Sequence, residues 1–189
     1  KQWPAEGPKL LWSYEGLGIG QGSVVVDKDK VFVTGIPDTL KAEAYLFAFD
    51  TKGKLLWKKN YGKDWTGIFS GARSTPTVAS ELIYIENGNG AIQCLKTDNG
   101  ESVWTVDFFK DMKADSVQFG FSESPLIDGD KLYCTPGGKE NNVVALNRFT
   151  GAKLWSSPGY KEKATYSSPI VFKHNGHQLL ATLTAGSIL

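Results

Sequence analysis

The sequence predicts an all-β fold, a β-propeller built from four-stranded antiparallel blades, and three observations favour it. Short runs of alternating or β-branched residues recur between Gly, Asn, Asp and Pro, for example Lys30-Val31-Phe32-Val33 and Leu82-Ile83-Tyr84-Ile85. A Gly–Trp pattern repeats along the chain, and a Ser-Pro pattern repeats in step with it. Four strands in a period of about 40–50 residues are typical of a propeller blade. Only two short segments, 38–44 and 107–113, have helical character.

The Gly–Trp pattern consists of a small residue, a polar turn, a Gly, and a Trp four residues after that Gly. Its complete copies run from Ala48 to Trp57, from Cys94 to Trp104, and from Ala145 to Trp155, with turn glycines Gly53, Gly100 and Gly151. Trp12 ends a further, partial copy, and successive Trp residues are 45, 47 and 51 positions apart. We expect the Gly to supply a positive φ in a tight hairpin and the Trp to cover the face between blades. These residues are therefore predicted to be structural.

The second pattern opens an apolar run in each unit. It occurs as Ser74-Thr75-Pro76, Ser124-Pro125 and Ser168-Pro169, and as Gly22-Ser23-Val24 without the Pro. Pro is tolerated at the start of a strand, where the missing N–H costs least. The two patterns together predict an N-terminal outer strand over 1–19, blades over 20–65, 66–114 and 115–163, and an incomplete blade over 164–189.

Composition excludes several classes of function. The formal net charge is +1, with 21 basic and 20 acidic residues, and only Arg73 and Arg148 are arginines, so we expect no nucleic-acid partner. No apolar run approaches the ~20 residues of a transmembrane helix. Cys94 takes the small-residue place of the Gly–Trp pattern and is predicted to be a buried thiol, and Cys134 lies in a different unit at a different strand position. His174 and His177 have no acidic or Cys partner at metal-ligand spacing, so no metal site is expected.

The Gly–Trp units resemble the tryptophan-docking motif of the quinoprotein alcohol dehydrogenase-like propellers, or PQQ-like repeat family. Ala145 to Trp155 matches that motif with Asn147 in the Asp place, and Gly71 to Val78 looks like the blade opener of bacterial, polyvinylalcohol dehydrogenase-related members. The resemblance implies about eight blades, so the chain is interpreted as the N-terminal half of a larger propeller with about four blades. Two alternatives are a closed four-bladed ring, completed by the Trp12 strand, and self-association of half-rings through their open edges.

Propeller ligands usually sit at the channel mouth, framed by the loops that enter the innermost strands. In this sequence those loops contain five candidate ligand-binding residues: Trp65, Arg73, Gln118, Glu123 and Tyr166. Arg73 is suited to bind a carboxylate, and Glu123 to serve as a Ca²⁺ ligand or a catalytic carboxylate. Trp65, Phe119 or Phe121 is suited to stack on a planar ligand. The alternative is that Arg73 and Glu123 pair with each other or with backbone at a blade junction, and that the aromatics pack the blades.

Two functions follow from the resemblance. One is a non-catalytic platform of the cell envelope that binds a small molecule or a protein at the channel mouth. The other is a PQQ- and Ca²⁺-dependent alcohol dehydrogenase acting on polyvinyl alcohol or a sugar. The family's vicinal Cys pair is absent, which favours the platform. The resemblance also implies export to the periplasm or beyond, with a lipid anchor in some members.

A cluster of lysines falls on one predicted outer strand and its surroundings. Its members are Lys52, Lys54, Lys58, Lys59 and Lys63. Lysines along an exposed strand are typical of an edge that resists aggregation, and we expect a solvated outer edge here.

Overall fold

The computed structural model describes residues 2–189, which form three four-stranded sheets and one two-stranded sheet, blades 1 to 4 in chain order. Blade 1 contains β1 Val25–Asp27, β2 Lys30–Asp38, β3 Glu43–Asp50 and β4 Leu55–Lys63. Blade 2 contains β5 Thr77–Ala79, β6 Leu82–Asn87, β7 Ala91–Lys96 and β8 Ser102–Asp107. Blade 3 contains β9 Leu126–Asp128, β10 Lys131–Cys134, β11 Val143–Asn147 and β12 Lys153–Ser157. Blade 4 contains β13 Ile170–His174 and β14 His177–Ala181.

Every strand pairs antiparallel with its neighbour in the chain, so each blade is a simple meander. The first strand of blades 1 to 3 has only three residues and lies innermost, and the last strand is the outer edge. Short connections between consecutive strands favour this arrangement, because a two-residue turn can join antiparallel strands directly. The predicted fold class, an all-β partial propeller, is confirmed.

In every blade the first residue of the turn between the first and second strands has a positive φ. These residues are Lys28, Ser80, Gly129 and Asn175, with φ of 53°, 61°, 57° and 50°. In blade 4 Gly176 also has a positive φ. Gly and Asn adopt this conformation readily, whereas Lys and Ser do so at a cost. The same positive φ is therefore imposed on four different residue types by the pairing of the strands around the turn.

The Gly–Trp units form the hairpins that join the third and fourth strands. Ala48, Cys94 and Ala145 lie directly opposite Trp57, Trp104 and Trp155 across the strand pair. Gly53, Gly100 and Gly151 have φ of 88°, 72° and 72°. The indole of the preceding unit lies over each Gly, and a Cβ at Gly151 would fall 2.9 Å from the Trp104 ring. Gly is thus required both by the turn and by the close approach of the ring.

The indole N–H groups of these tryptophans differ in their hydrogen bonds. Trp12 Nε1 donates to the carbonyl of Thr51 at 3.0 Å, and Trp104 Nε1 donates to that of Arg148 at 3.0 Å. Trp57 Nε1 is buried without a partner. The equivalent carbonyl, on Thr97, instead accepts from Lys30 Nζ at 3.3 Å.

The Ser-Pro openers join the innermost strands of successive blades. Ser23 N donates to Thr75 Oγ1 at 2.9 Å, Thr75 N to Ser124 Oγ at 3.0 Å, and Ser124 N to Ser168 Oγ at 2.9 Å. One hydroxyl per blade therefore satisfies the first free N–H of the preceding blade. Among residues 2–189, no hydrogen bond joins blade 4 back to blade 1.

Apolar residues fill the spaces between blades rather than one central core. One cluster, which includes Phe32, Leu46 and Ile83, lies between blades 1 and 2. A second, which includes Tyr84, Phe108 and Leu146, lies between blades 2 and 3. Each face-to-face junction buries the alternate residues of two twisted sheets, which is why the strands show alternating patterns.

The segment at the N-terminus differs from its prediction. Residues 2–18 form no strand, so the outer strand expected over 1–19 is not present in the described part of that range. Trp12 nevertheless packs against Phe49 of blade 1, with ring centroids 5.8 Å apart. Tyr14 also packs against Phe49, with centroids 4.7 Å apart, so aromatic contacts hold this segment on the blade without strand pairing.

One of the two helical expectations is correct. Helix α1, Phe108–Met112, lies within the predicted 107–113, and the Asp107 side chain accepts from the N–H groups of Phe109 and Lys110. The expectation for 38–44 is wrong. There the Asp38 carboxylate accepts from Leu40 N at 3.0 Å and closes a turn between β2 and β3.

Candidate functional site

The inner ends of the blades line a cavity of about 480 Å³, which we call the mouth cavity. Each blade contributes the residue two positions before the Ser or Thr of its opener, which is Ser23, Thr75, Ser124 or Ser168. Phe69 and Phe119 complete the lining. The four equivalent residues are Gln21, Arg73, Ser122 and Tyr166. The same offset from the opener therefore identifies a lining residue in every blade. Gln21 and Ser122 were not predicted, although this offset was readable from the sequence.

Arg73 is the one charged residue among the described residues that line the mouth cavity. Its Nη2 donates to the carbonyl of Phe119 and, at 3.1 Å, to that of Phe121. The guanidinium carbon lies 6.0 Å from the centroid of the Trp65 ring. These contacts hold the cation across the junction of blades 2 and 3. Burial lowers the pKa of Arg73, and the side chain stays charged because its ordinary pKa is far above neutrality.

Asp64 supports this arrangement from below and was not among the predicted residues. Its carboxylate accepts from Tyr61 Oη at 2.9 Å, Trp65 N at 2.7 Å and Gly88 N at 2.5 Å. Burial raises the pKa of Asp64, and the hydrogen bonds from Gly88, Trp65 and Tyr61 and the charge of Arg73 oppose that rise. Asp64 thus ties the end of blade 1 to blade 2 beside the guanidinium.

Trp65 lies behind Arg73 instead of facing the cavity. Its Nε1 donates to the carbonyl of Ile68 at 2.9 Å, and its side chain packs closely against Gly67, Gly88 and Gly120. A Cβ at Gly120 would fall 2.7 Å from the ring. Trp65 therefore positions the Phe69 loop and Arg73, and it is not placed to stack on a ligand in the cavity.

Three aromatic rings form a row across blades 2, 3 and 4 at the mouth. Phe69 and Phe119 are 5.5 Å apart between centroids, and Phe119 and Tyr166 are 6.2 Å apart. Phe69 is 62% exposed and Tyr166 is 47% exposed. A row of exposed aromatic side chains next to a fixed cation has the composition of a recognition surface.

Glu123 does not reach the mouth cavity. It is 3% exposed, and both of its carboxylate oxygens accept from Thr135 N, at 3.1 and 3.0 Å. Glu86 is its buried neighbour, accepting from Glu123 N at 3.0 Å through Oε1 while Oε2 is buried without a partner. Burial raises the pKa of Glu123 to about 8, and burial together with the nearby Glu123 raises that of Glu86. Side chains of consecutive residues in an extended segment point to opposite sides, so Ser122 faces the cavity and Glu123 the interior.

The alternative that Arg73 and Glu123 bond to each other or to backbone at a blade junction agrees with the contacts of Arg73 and only in part with those of Glu123. Each bonds to backbone, Arg73 across the junction of two blades and Glu123 within blade 3, and the two do not pair with each other. Gln118 is exposed and lies outside the cavity lining. Phe121 packs the interior, with its centroid 5.3 Å from that of Phe108.

The residues at the mouth do not fit a calcium-bound quinone. Ca²⁺ takes about six to eight oxygen ligands, several of them carboxylates. The described lining offers the neutral oxygens of Gln21, Ser122 and Tyr166 and a guanidinium, which repels a cation. No group of three or more His, Cys, Asp or Glu residues within 2–189 is placed to hold a metal ion.

The cysteines take no part in the site. Cys94 is a buried free thiol, as predicted, and Cys134 is also buried and free. Burial raises the pKa of Cys94 to about 12. Nor does any helix within residues 2–189 have the length and hydrophobicity needed to cross a bilayer.

Comparison with known proteins places this geometry in a family. The model described as outer membrane protein assembly factor BamB, a PQQ-like repeat model, matches residues 42–189. The protein named outer membrane protein assembly factor BamB in Kangiella koreensis is 25% identical over 157 residues. That alignment covers 78% of this chain and 36% of the relative, so the chain spans about a third of the relative's length.

Solved structures share the fold at low identity. BamB from Moraxella catarrhalis has a TM-score of 0.59 at 18% identity, covering 94% of this chain and 51% of that one. Quinohemoprotein alcohol dehydrogenase from Comamonas testosteroni has a TM-score of 0.59 at 20% identity, covering 78% of this chain and 22% of that one. With phased Gly–Trp units, meander blades and a family model that spans most of its length, the chain belongs to the PQQ-like repeat family of β-propellers that the BamB model describes.

Proposed function

We propose that this chain forms part of a non-catalytic binding platform in the periplasm, and that a protein partner docks at the mouth cavity. The family description and the Kangiella relative, both named for outer membrane protein assembly, support a role in the cell envelope. A factor that assembles outer membrane proteins meets them in the periplasm, which supports that location.

The observation that carries the proposal is the row of Phe69, Phe119 and Tyr166 beside Arg73. Exposed aromatic rings supply a large contact area. The carbonyls of Phe119 and Phe121 and the Trp65 ring already hold the guanidinium in place, so it loses little entropy on binding. Interfaces are enriched in these residue types and depleted in Lys, Glu and Asp, none of which lines the described mouth.

Catalysis by an oxidoreductase has no such support. The buried carboxyl groups of Asp64, Glu86 and Glu123 accept hydrogen bonds inside the protein, and no carboxylate or imidazole that could act as a general base lines the described mouth. The likeness to quinohemoprotein alcohol dehydrogenase is a likeness of fold at 20% identity.

The test is a photocrosslinking residue, p-benzoylphenylalanine, placed in the host organism at one of two phenylalanines. Position 69 lies at the mouth, and position 149, where Phe149 is also partly exposed, lines the cavity at the other end of the strands. We expect a discrete crosslinked protein from position 69 and not from position 149, and Tyr166→Ala should reduce its yield. The same products from both positions, or none from position 69, would contradict the proposal.

A further inference from the structure

Blade 1 carries a row of lysines on its outer edge, which we call the basic edge. It consists of Lys52 and Lys54 in the β3–β4 hairpin and Lys58, Lys59 and Lys63 on β4. All five are exposed, and none forms an ion pair with a described residue. The outer face of the protein therefore presents five ammonium groups from a segment of twelve residues, although the whole chain is nearly neutral.

The acidic residues next to the basic edge are already engaged. Asp50 Oδ1 accepts from Lys52 N and Lys54 N, each at 2.9 Å, and so closes the hairpin. Glu43 Oε2 accepts from Tyr45 Oη at 3.2 Å. Both acids sit at the ends of β3 and form no ion pair with Lys58 or Lys59 in the middle of the edge. Lys58 Nζ lies 5.4 Å from the centroid of the Tyr45 ring, and the charge of Lys59 reaches Glu101 of blade 2 beyond ion-pair distance.

Protection against aggregation does not account for the basic edge. That role would apply equally to the outer strands of the other blades, since each presents the same unpaired backbone groups. Yet β8 contains no lysine and follows a turn with Asp98 and Glu101, and β12 contains only Lys153. The lysines are therefore particular to blade 1, which suggests a partner on that side.

The shape of the basic edge suits a flat, diffuse anionic partner. Nine residues of strand extend about 30 Å. Neighbouring side chains leave opposite faces of the strand, and long lysine stems let both sets of ammonium groups reach one plane. Leu56, 42% exposed, lies among them and offers an apolar contact. Lysine supplies point charges without the bidentate fork that arginine uses to recognise single phosphates.

We propose that the basic edge of blade 1 rests on the surface of an anionic lipid bilayer, with its ammonium groups among the lipid phosphates and Leu56 at the headgroup boundary. This surface lies outside the mouth cavity, so the proposal is independent of the proposed function. The occupant is a membrane because the charges form a line with an apolar residue, the pattern that favours attachment to an interface.

The test is co-sedimentation with vesicles of phosphatidylcholine alone or with about 30% phosphatidylglycerol, using the full chain. One variant replaces the basic edge by glutamine: K52Q/K54Q/K58Q/K59Q/K63Q. A control variant removes the same charge elsewhere, from exposed lysines without ion pairs: K110Q/K131Q/K139Q/K163Q/K173Q. Far-UV circular dichroism of both variants establishes that each is folded.

We expect the wild-type chain to bind the anionic vesicles and not the neutral ones. Each lysine near an anionic surface strengthens binding about fivefold, so the basic-edge variant should lose about 100-fold or more, and the control variant about fivefold or less. Binding should also weaken as NaCl rises from about 50 to about 500 mM. Equal losses in the two variants, no wild-type binding, or competition by about 10 mM inorganic phosphate would each overturn the proposal.

Discussion

The two docked tryptophans Trp57 and Trp104 provide a matched test of how the blades are held together. Both rings lie over the Gly of the next blade, and a Cβ at Gly100 or Gly151 would fall 2.8 or 2.9 Å from the respective ring. They differ in that Trp104 Nε1 donates to the Arg148 carbonyl at 3.0 Å, whereas Trp57 Nε1 is buried without a partner. Replacing each by Phe removes a similar ring volume and isolates the hydrogen bond.

We expect Trp104→Phe to cost more stability than Trp57→Phe. The lost volume contributes to both, but only Trp104→Phe removes a hydrogen bond and leaves a carbonyl without its donor, a penalty of about 1–2 kcal/mol. Trp57→Phe removes a donor that has no partner, so its polar contribution is about zero or favourable. The free energy of unfolding should therefore differ between the variants by about 1–2 kcal/mol.

The assay is urea denaturation followed by far-UV circular dichroism, which does not depend on the replaced fluorophores. Unchanged slopes with urea would show that the two variants unfold from comparably compact states. If Trp57→Phe destabilises the chain as much as Trp104→Phe, or more, the reasoning from the indole hydrogen bonds is wrong.

Two further predictions concern the carboxyl pair and the inner turns. Because the folded pKa of Glu123 is raised to about 8, the folded state holds a proton that the unfolded state releases above about pH 4.5, so the free energy of unfolding should fall as pH rises toward about 8. Glu123→Gln should remove much of that slope in urea titrations at pH 5.5, 7 and 8.5, and a difference from wild type that is constant with pH would refute it. Ser80→Gly should raise the free energy of unfolding by about 0.5–1 kcal/mol by relieving its φ of 61°. Gly129→Ala, at the equivalent turn with no atom near the added Cβ, should lower it by about 1 kcal/mol, and shifts of the same sign in these two variants would contradict the argument from backbone strain.

The repeated features of the fold were predictable from the sequence, because each depends on a short residue pattern that recurs at the same place in every unit. Gly151 and Trp155 reveal a hairpin and its outer strand, and Ser124-Pro125 reveals the start of an inner strand. Because each pattern occurs three times in the same phase, the sequence predicts the blade, the order of its strands and the fold class. The failures lie where local signals compete. Asp38 has the composition of a helix start, but its carboxylate closes a hairpin turn instead.

The candidate site was only partly predictable. Arg73 and Tyr166 line the mouth cavity, a position that follows from the phase of the opener, and their binding of a ligand stays a prediction. Glu123, one position further along than the lining residue Ser122, points into the interior, and Trp65 supports Arg73 from behind. Asp64 and Glu86 become important only through contacts with other blades, at sequence separations that no local pattern reveals.

The sequence by itself determined the repeat, the fold class and the family, because spacing of Gly, Trp and Ser-Pro is a property of each unit alone. The tertiary structure decided which side chains share the mouth cavity, which carboxyl groups are buried, and which indole lacks a partner. Those outcomes depend on the juxtaposition of neighbouring blades. A shift of one residue in an extended segment exchanges the cavity for the interior. Lys30, from the same blade as Trp57, donates to the Thr97 carbonyl of the next blade, which Trp57 would otherwise use.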